Sequence, residues 1–294
     1  MNIYALIVMA VLFWSGNFVL GRLVSPEIEP MQLALFRWAL VLILLLPYIF
    51  LHQKVIFSAI KNNFLILLVL SFLGVTGFNT ILYYGLQETT ATNSLLINSS
   101  IPIIIIVLNT LFTKEPITFT QIIGVFLSTL GVIFLVIKGD ISNLINFEFN
   151  KGDFWVILSS ITWATYCILV KYKPNKLKAF EFISIITLLG FIMLFIIYFL
   201  MGNTVHFNFS STVYSSILYM AIFPSLFSYY LWNRGIMEIG ANKTGQVTHI
   251  MPISGSILAY VFLGENLERY HFYGIVFIAI GIYISLFYKS KKSS

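Results

Sequence analysis

Ten stretches of about 20 mostly apolar residues follow one another along the chain, at 5–24, 31–51, 64–86, 93–112, 119–137, 153–171, 180–201, 213–233, 244–263 and 271–288. That succession constrains the fold more than any other feature. The runs 103–108 and 192–200 are continuously apolar, without the alternation that a membrane β-strand requires. In lipid a continuous apolar run must satisfy its backbone internally, which selects helices. The reading is an all-α membrane protein with ten transmembrane helices. Composition agrees: 59% of residues are hydrophobic and 10% charged, against about 25% charged in an ordinary soluble domain. So little charge excludes a soluble globular domain and a disordered chain. The single cysteine, Cys167, excludes a disulfide framework and a cysteine-based zinc site. The first stretch has no basic residue before it and runs into Trp14-Ser15-Gly16-Asn17, so it reads as a retained helix and not a cleaved leader.

The net charge of +6 would suggest nucleic acid in a soluble protein. Here the charges mark sidedness. With the N-terminus inside, twelve basic residues lie on the inner side: Lys54, Lys61, Lys114, Lys171, Lys173, Lys176, Lys178, Arg234, Lys243, Lys289, Lys291 and Lys292. Arg22, Lys138, Lys151 and Arg269 lie at the outer side, and Arg37 falls within the second span. Basic residues stay cytoplasmic, so both termini are expected in the cytoplasm. The tail 289–294 then serves as a basic topology anchor in a cytoplasmic, inner membrane.

The halves match at a shift of 150. Gly85, Glu88, Ala91, Pro102, Phe112, Glu115, Gly124 and Gly131 fall on Gly235, Glu238, Ala241, Pro252, Phe262, Glu265, Gly274 and Gly281. Nearer the start the shift is 149, placing Trp14 on Trp163 and Arg22 on Lys171. Each half carries five spans. Five is odd, so the second half enters the membrane from the other side. The expected organisation is a first repeat at 1–138, an external linker at 139–152, an inverted second repeat at 153–288 and the basic tail. Inverted repeats let one half rock against the other around a midplane site, which is a transporter device.

The first-half residues Trp14-x-x-Asn17, Pro30, Arg37, Gly85-Leu86-Gln87-Glu88, Pro102, Glu115-Pro116, Gln121, Gly124 and Gly131 resemble an EamA domain. The second half resembles it again through Trp163, Gly235, Pro252, Glu265, Gly274 and Gly281. Ser15 departs from a usual Gly, Ile186 stands where Arg37 would repeat, and Asn266 where Pro116 would. Two such domains resemble the drug/metabolite transporter superfamily. That resemblance implies ten helices as two inverted five-helix EamA-type repeats, and export or exchange of small metabolites, often amino acids, without ATP.

Candidate binding residues follow from position. Arg37 lies about 9 Å into its helix, where a charge must face the bundle or an aqueous cavity. It fits either a carboxylate contact or a structural tie to helix-end carbonyls, Glu27 or Glu29. Trp14, Asn17 and Phe18 on helix 1 mirror Trp163 and Tyr166 on helix 6, as ligand cover or as core. Asn79 and Tyr83 share a face of helix 3 at i,i+4. Pro102 frees the carbonyl of Asn98, and Pro252 that of Thr248, beside His249. Polar groups at paired helix breaks are where such carriers place their sites. His249 fits a proton-coupling group or a neutral, hydrogen-bonded ring. Tyr229 or Tyr230 fits the cavity wall, with Tyr230 taken as the site residue. Arg234 and Glu238 are spaced to pair. Small residues at Gly124, Ser128, Gly131, Gly274 and Gly281 make helices 5 and 10 packing or dimer helices.

No nucleophile elbow, zinc-protease or phosphate-loop motif is present, so an enzyme is not expected, nor a cofactor, metal or nucleic-acid partner. The expected partners are membrane lipid and a small-molecule substrate, most of all an amino acid. Nucleosides, sugars, drugs or a passive pore are the alternatives. The acidic outer loops leave basic amino acids open. A monomer suffices, and a homodimer is compatible.

Overall fold

The computed structural model describes residues 2–113, 117–137, 139–140, 142, 150–263 and 269–287. The positions Lys114, Glu115, Pro116, Lys138, Glu265, Asn266 and the basic tail, together with most of the linker 139–152, lie outside the described residues. Among those described, the regular structure is helical throughout.

In chain order the helices are α1 (Ile3–Val24), α2 (Pro30–Leu51), α3 (Gln53–Asn62), α4 (Phe64–Ser71), α5 (Phe78–Glu88), α6 (Ala91–Asn98), α7 (Ile101–Thr113) and α8 (Phe119–Val136). Then come α9 (Lys151–Leu169), α10 (Ala179–Leu200), α11 (Ser211–Met220), α12 (Ser228–Ile239), α13 (Ala241–Gln246), α14 (Ile250–Leu263) and α15 (Arg269–Phe287). Local chemistry sets several starts. Asn2 caps α1 by accepting from the Tyr4 N–H, and Pro30 opens α2 where no N–H is needed. Thr118 with Gln121, and Asn150 with Asp153, form reciprocal capping boxes on α8 and α9. Helix α3 was not foreseen in the sequence. Its ten residues are amphipathic and bury only Ile56.

Among the described residues, seven helical stretches are long and apolar enough to cross a membrane: Ile3–Val24, Pro30–Leu51, Phe64–Glu88, Asn93–Phe112, Lys151–Tyr172, Ala179–Leu200 and Arg269–Leu286. The polarity of the molecule is reversed relative to a soluble protein. Leu23, Ile43, Phe50, Leu65, Phe126 and Leu200 are exposed, while Asn17, Arg37, Asn79, Asn98 and His249 are buried. An exposed shell of that kind requires lipid as its solvent. The chain is an integral membrane protein.

Four irregular segments occur in two matched pairs. Residues Phe72–Gly77 and Ala221–Phe227 are π-helical turns within long helices. They stand 149 to 150 positions apart, as do the breaks between Asn98 and Ile101 and at the 3₁₀ turn Val247–His249. A π-turn inserts an extra residue and leaves carbonyls without their usual partners. In the second of these, Pro224 also removes an N–H, and the Ser225 hydroxyl donates to the Met220 carbonyl at 2.7 Å.

The glycine contacts are matched too. A Cβ on Gly124 would lie 2.5 Å from the Gly281 carbonyl, and one on Gly281 2.5 Å from the Gly124 carbonyl. Gly131 meets Gly274 in the same reciprocal way, so α8 and α15 cross backbone to backbone. Gly85 packs on Val156, and its counterpart Gly235 packs on Ile7. The small-residue faces of α8 and α15 therefore meet each other inside one chain.

Candidate functional site

The irregular segments converge on one polar centre. Arg37, just past the second turn of α2, is 1% exposed. Its Nε donates to Ser225 Oγ at 2.5 Å. Its Nη1 donates to Asn79 Oδ1 at 2.7 Å, Tyr83 Oη at 2.6 Å and Asn17 Oδ1 at 3.1 Å. Three elements, α1, α5 and the 221–227 turn, thus supply four neutral acceptors to one cation. Among the described residues no carboxylate pairs with it, so neither Glu27 nor Glu29 is the partner. A buried charge costs several kcal/mol, on the order of a whole domain's stability, unless its donors are met. Here the acceptors are themselves positioned. The Tyr83 hydroxyl donates to Asn17 Oδ1 at 3.0 Å. Asn79 Nδ2 donates to the Gly74 and Val75 carbonyls that the π-turn frees, and to Tyr229 Oη at 3.2 Å. The Tyr229 hydroxyl also donates to the Gly74 carbonyl.

Beside this network lies an aromatic wall. The Trp14 and Trp163 rings meet edge to face at 5.1 Å, and Trp14 meets Trp232 at 4.8 Å. Trp163 also meets Phe78 at 4.7 Å, Tyr229 at 5.3 Å and Tyr166 at 5.0 Å. The Trp14 indole N–H donates to the Pro224 carbonyl at 2.9 Å, another group released by a π-turn. These indoles are therefore oriented groups at depth, unlike the rotating belts found at membrane interfaces.

Between network and wall lies a narrow crevice that, in this closed arrangement, has room for about one water molecule. Its lining combines Trp14, Asn17 and Phe18 of α1 with Arg37, Phe78, Asn79, Asn98, Ile101, Trp163, Thr248 and Met251. Arg37 is the charged residue among them. Asn98 sits at the break between α6 and α7. Its Nδ2 donates to the Ser94 carbonyl at 3.1 Å, and its Oδ1 is buried without a partner.

The sequence-derived residues divide accordingly. Trp14, Asn17, Arg37, Asn79, Asn98 and Trp163 line the cavity, and Tyr83 and Tyr166 stand directly behind it. Tyr166 is held there by a hydrogen bond to Asn233 Oδ1 at 2.9 Å. Tyr230 is not brought in. One residue is about 100° of helix rotation, so Tyr229 takes the buried position while Tyr230 turns out against Phe180, 5.0 Å away. His249 is also set back. Its Nε2 lies 2.8 Å from the Ser99 carbonyl and its Nδ1 2.6 Å from Ser128 Oγ. A carbonyl only accepts, so a neutral ring carries its proton on Nε2. Thr248 takes the lining position instead. Ser99 and His249 are equivalent under the 150 shift, so the two breaks touch at matching positions. Arg234 and Glu238 do pair, at 2.5 Å on the surface.

Ser225, Met251 and Trp38, whose ring centre lies 5.4 Å from the Arg37 guanidinium carbon, were not singled out from the sequence. The signal for Ser225 was Pro224 beside it, an intramembrane proline in addition to Pro47, Pro102 and Pro252. Cys167 is buried and accepts the Trp232 indole N–H at 3.3 Å.

Lipid-facing helices packed around a buried polar centre define a class: integral membrane proteins that cross the bilayer several times. The EamA-like transporter family model matches residues 1–137 and again 150–287, and the chain belongs to that family. It is similar to the uncharacterized transporter YyaM of Bacillus subtilis (strain 168), 24% identical over 96% of this chain and 92% of that one. It is likewise similar to the uncharacterized transporter YetK of the same organism, 29% identical over 100% of this chain and 89% of that one. One solved crystal structure superposes with a TM-score of 0.75 over 97% of this chain and 96% of the other at 14% identity, a likeness of fold.

Proposed function

We propose that the protein is a secondary transporter of small metabolites, amino acids first among them, working by export or exchange in the cytoplasmic membrane with both termini in the cytoplasm. Its ten helical stretches form two inverted five-helix repeats, 1–138 and 153–288, joined outside by 139–152. Alternating access arises when the halves rock about the cavity.

The observation that carries this reading is the matched pair of helix breaks meeting at Ser99 and His249, beside a cavity that takes walls from both halves. The paired π-turns and the reciprocal glycine contacts support the same two-fold relation. In this arrangement Trp14 and Trp163 cover the apolar part of the substrate. Asn17, Asn79 and Asn98 address its polar part. The Arg37 network ties α1, α2 and α5 of one half to Ser225 of the other, so substrate entering there competes with contacts that hold the halves together. No carboxylate lines the cavity among the described residues, so a carboxylate proton relay has no carrier there.

The test is uptake of labelled amino acids into vesicles by wild type, Trp163→Ala and Asn79→Ala. A raised KM or lost uptake in both supports the site. Unchanged KM and rate in both would remove it.

A further inference from the structure

The cavity presents two polar groups that the protein leaves unmatched. Arg37 uses Nε and Nη1 on its four neutral partners, while Nη2, with two N–H donors, has no hydrogen-bond partner among the described residues. Asn98 Oδ1 is a buried acceptor with no partner, and Asn98 is 1% exposed. Both residues line the same cavity, and the rest of the lining adds no second charge. A buried cation facing neutral groups, with donors to spare, is completed by an anion. A carboxylate matches a guanidinium edge in shape as well as charge. A buried unpartnered carbonyl oxygen is completed by an N–H or O–H donor.

We propose that, when the halves part and widen this crevice, Arg37 Nη2 and Asn98 Oδ1 form a two-point subsite that takes the carboxylate and the amino group of a neutral amino acid, with its apolar side chain against Trp14, Phe78 and Trp163. The proposal rests on the reading of this cavity as the substrate site. It also sets a selectivity. A cationic side chain would lie in a cavity whose one charge is already positive, so arginine and lysine are poor ligands. Amines lacking the carboxylate are poorer still.

The test uses wild-type protein in proteoliposomes exchanging labelled phenylalanine. Phenylalanine, phenylalaninamide, phenethylamine, 3-phenylpropionate and arginine are the competitors. A charge-assisted hydrogen bond corresponds to roughly tenfold or more in affinity. Phenylalaninamide and phenethylamine are therefore expected to compete at least about tenfold more weakly than phenylalanine. Loss of the amino group in 3-phenylpropionate weakens it less, and Asn98→Ala abolishes that difference. In Arg37→Lys the preference for acid over amide collapses. An Arg37 that only holds the fold would lower the thermal midpoint and leave that preference intact. Equal competition by phenethylamine overturns the proposal.

Binding measured in detergent by tryptophan fluorescence, with the same five compounds, separates the two claims. Carboxylate-dependent binding without exchange would sink the transport reading and keep the subsite. Absence of carboxylate-dependent binding overturns the subsite whether or not exchange occurs.

Discussion

The crossing of α8 and α15 gives a prediction with a worked magnitude. A Cβ added at Gly124 would stand 2.5 Å from the Gly281 carbonyl, where ordinary contact begins at 3.4 Å. The helices must therefore part by about 0.9 Å at that level. Backbone cannot swing aside as a flexible side chain does, so the cost falls in the usual range for overpacking, about 1–3 kcal/mol. Gly281→Ala meets the Gly124 carbonyl at the same distance and from the same crossing. One separation relieves both clashes. The double variant Gly124→Ala/Gly281→Ala is thus expected to cost little more than either single variant, a coupling of about 1–2 kcal/mol below the sum. Gly131→Ala acts at the other contact, two helical turns away, and adds nearly independently to Gly124→Ala. Unfolding in mixed micelles by denaturing detergent, followed by tryptophan fluorescence, gives the four free energies. Equal stability of wild type and both singles would refute the close crossing. Full additivity of the 124 and 281 variants would refute the shared displacement.

Other outcomes follow from the site. Asn79→Ala removes the 2.7 Å acceptor of Arg37 Nη1 and the side-chain donor to the Gly74 and Val75 carbonyls, at about 1–3 kcal/mol for buried polar groups left short of a partner, and a lowered thermal midpoint in detergent checks it. Trp163→Phe keeps a ring in the wall and is expected to transport with a smaller rise in KM than Trp163→Ala; the two KM values from vesicle uptake decide. Because the His249 ring bridges Ser99 and Ser128 behind the cavity, His249→Gln is expected to keep exchange with an unaltered pH profile, and a profile that flattens between about pH 5.5 and 7.5, one unit either side of an ordinary imidazole, would make it a coupling group. Arg234→Ala breaks an exposed i,i+4 pair and is expected to change stability by less than about 1 kcal/mol, read from the same micelle unfolding.

The sequence disclosed the helices because each apolar run is long enough to need lipid on all sides. The pairing of Trp14 with Trp163 was legible because tryptophans recur too rarely in apolar sequence to match by chance. Pro102 and Pro252 announced the two breaks, since each removes a hydrogen bond at a known offset. The π-turns were not legible. An inserted residue leaves no compositional mark, and in the first turn, 72–77, there is no proline at all. They decide which face of the following helix points inward, which is why a choice between Tyr229 and Tyr230 could not be made from periodicity. The partners of Arg37 were hidden for a different reason. They come from α1, α5 and the 221–227 turn, and no local spacing connects residue 37 to residue 225. Burial of His249 was anticipated as one of two roles, but its distance from the cavity depends on the 3₁₀ turn that carries it.

The claim that this chain is a carrier is tested most directly by counterflow in proteoliposomes. Unlabelled amino acids are loaded inside and labelled amino acids followed from outside, with and without a pH gradient. The account predicts saturable, competable entry accelerated by the internal load. Entry that rises linearly with concentration and ignores the internal load would contradict alternating access and leave a passive pore.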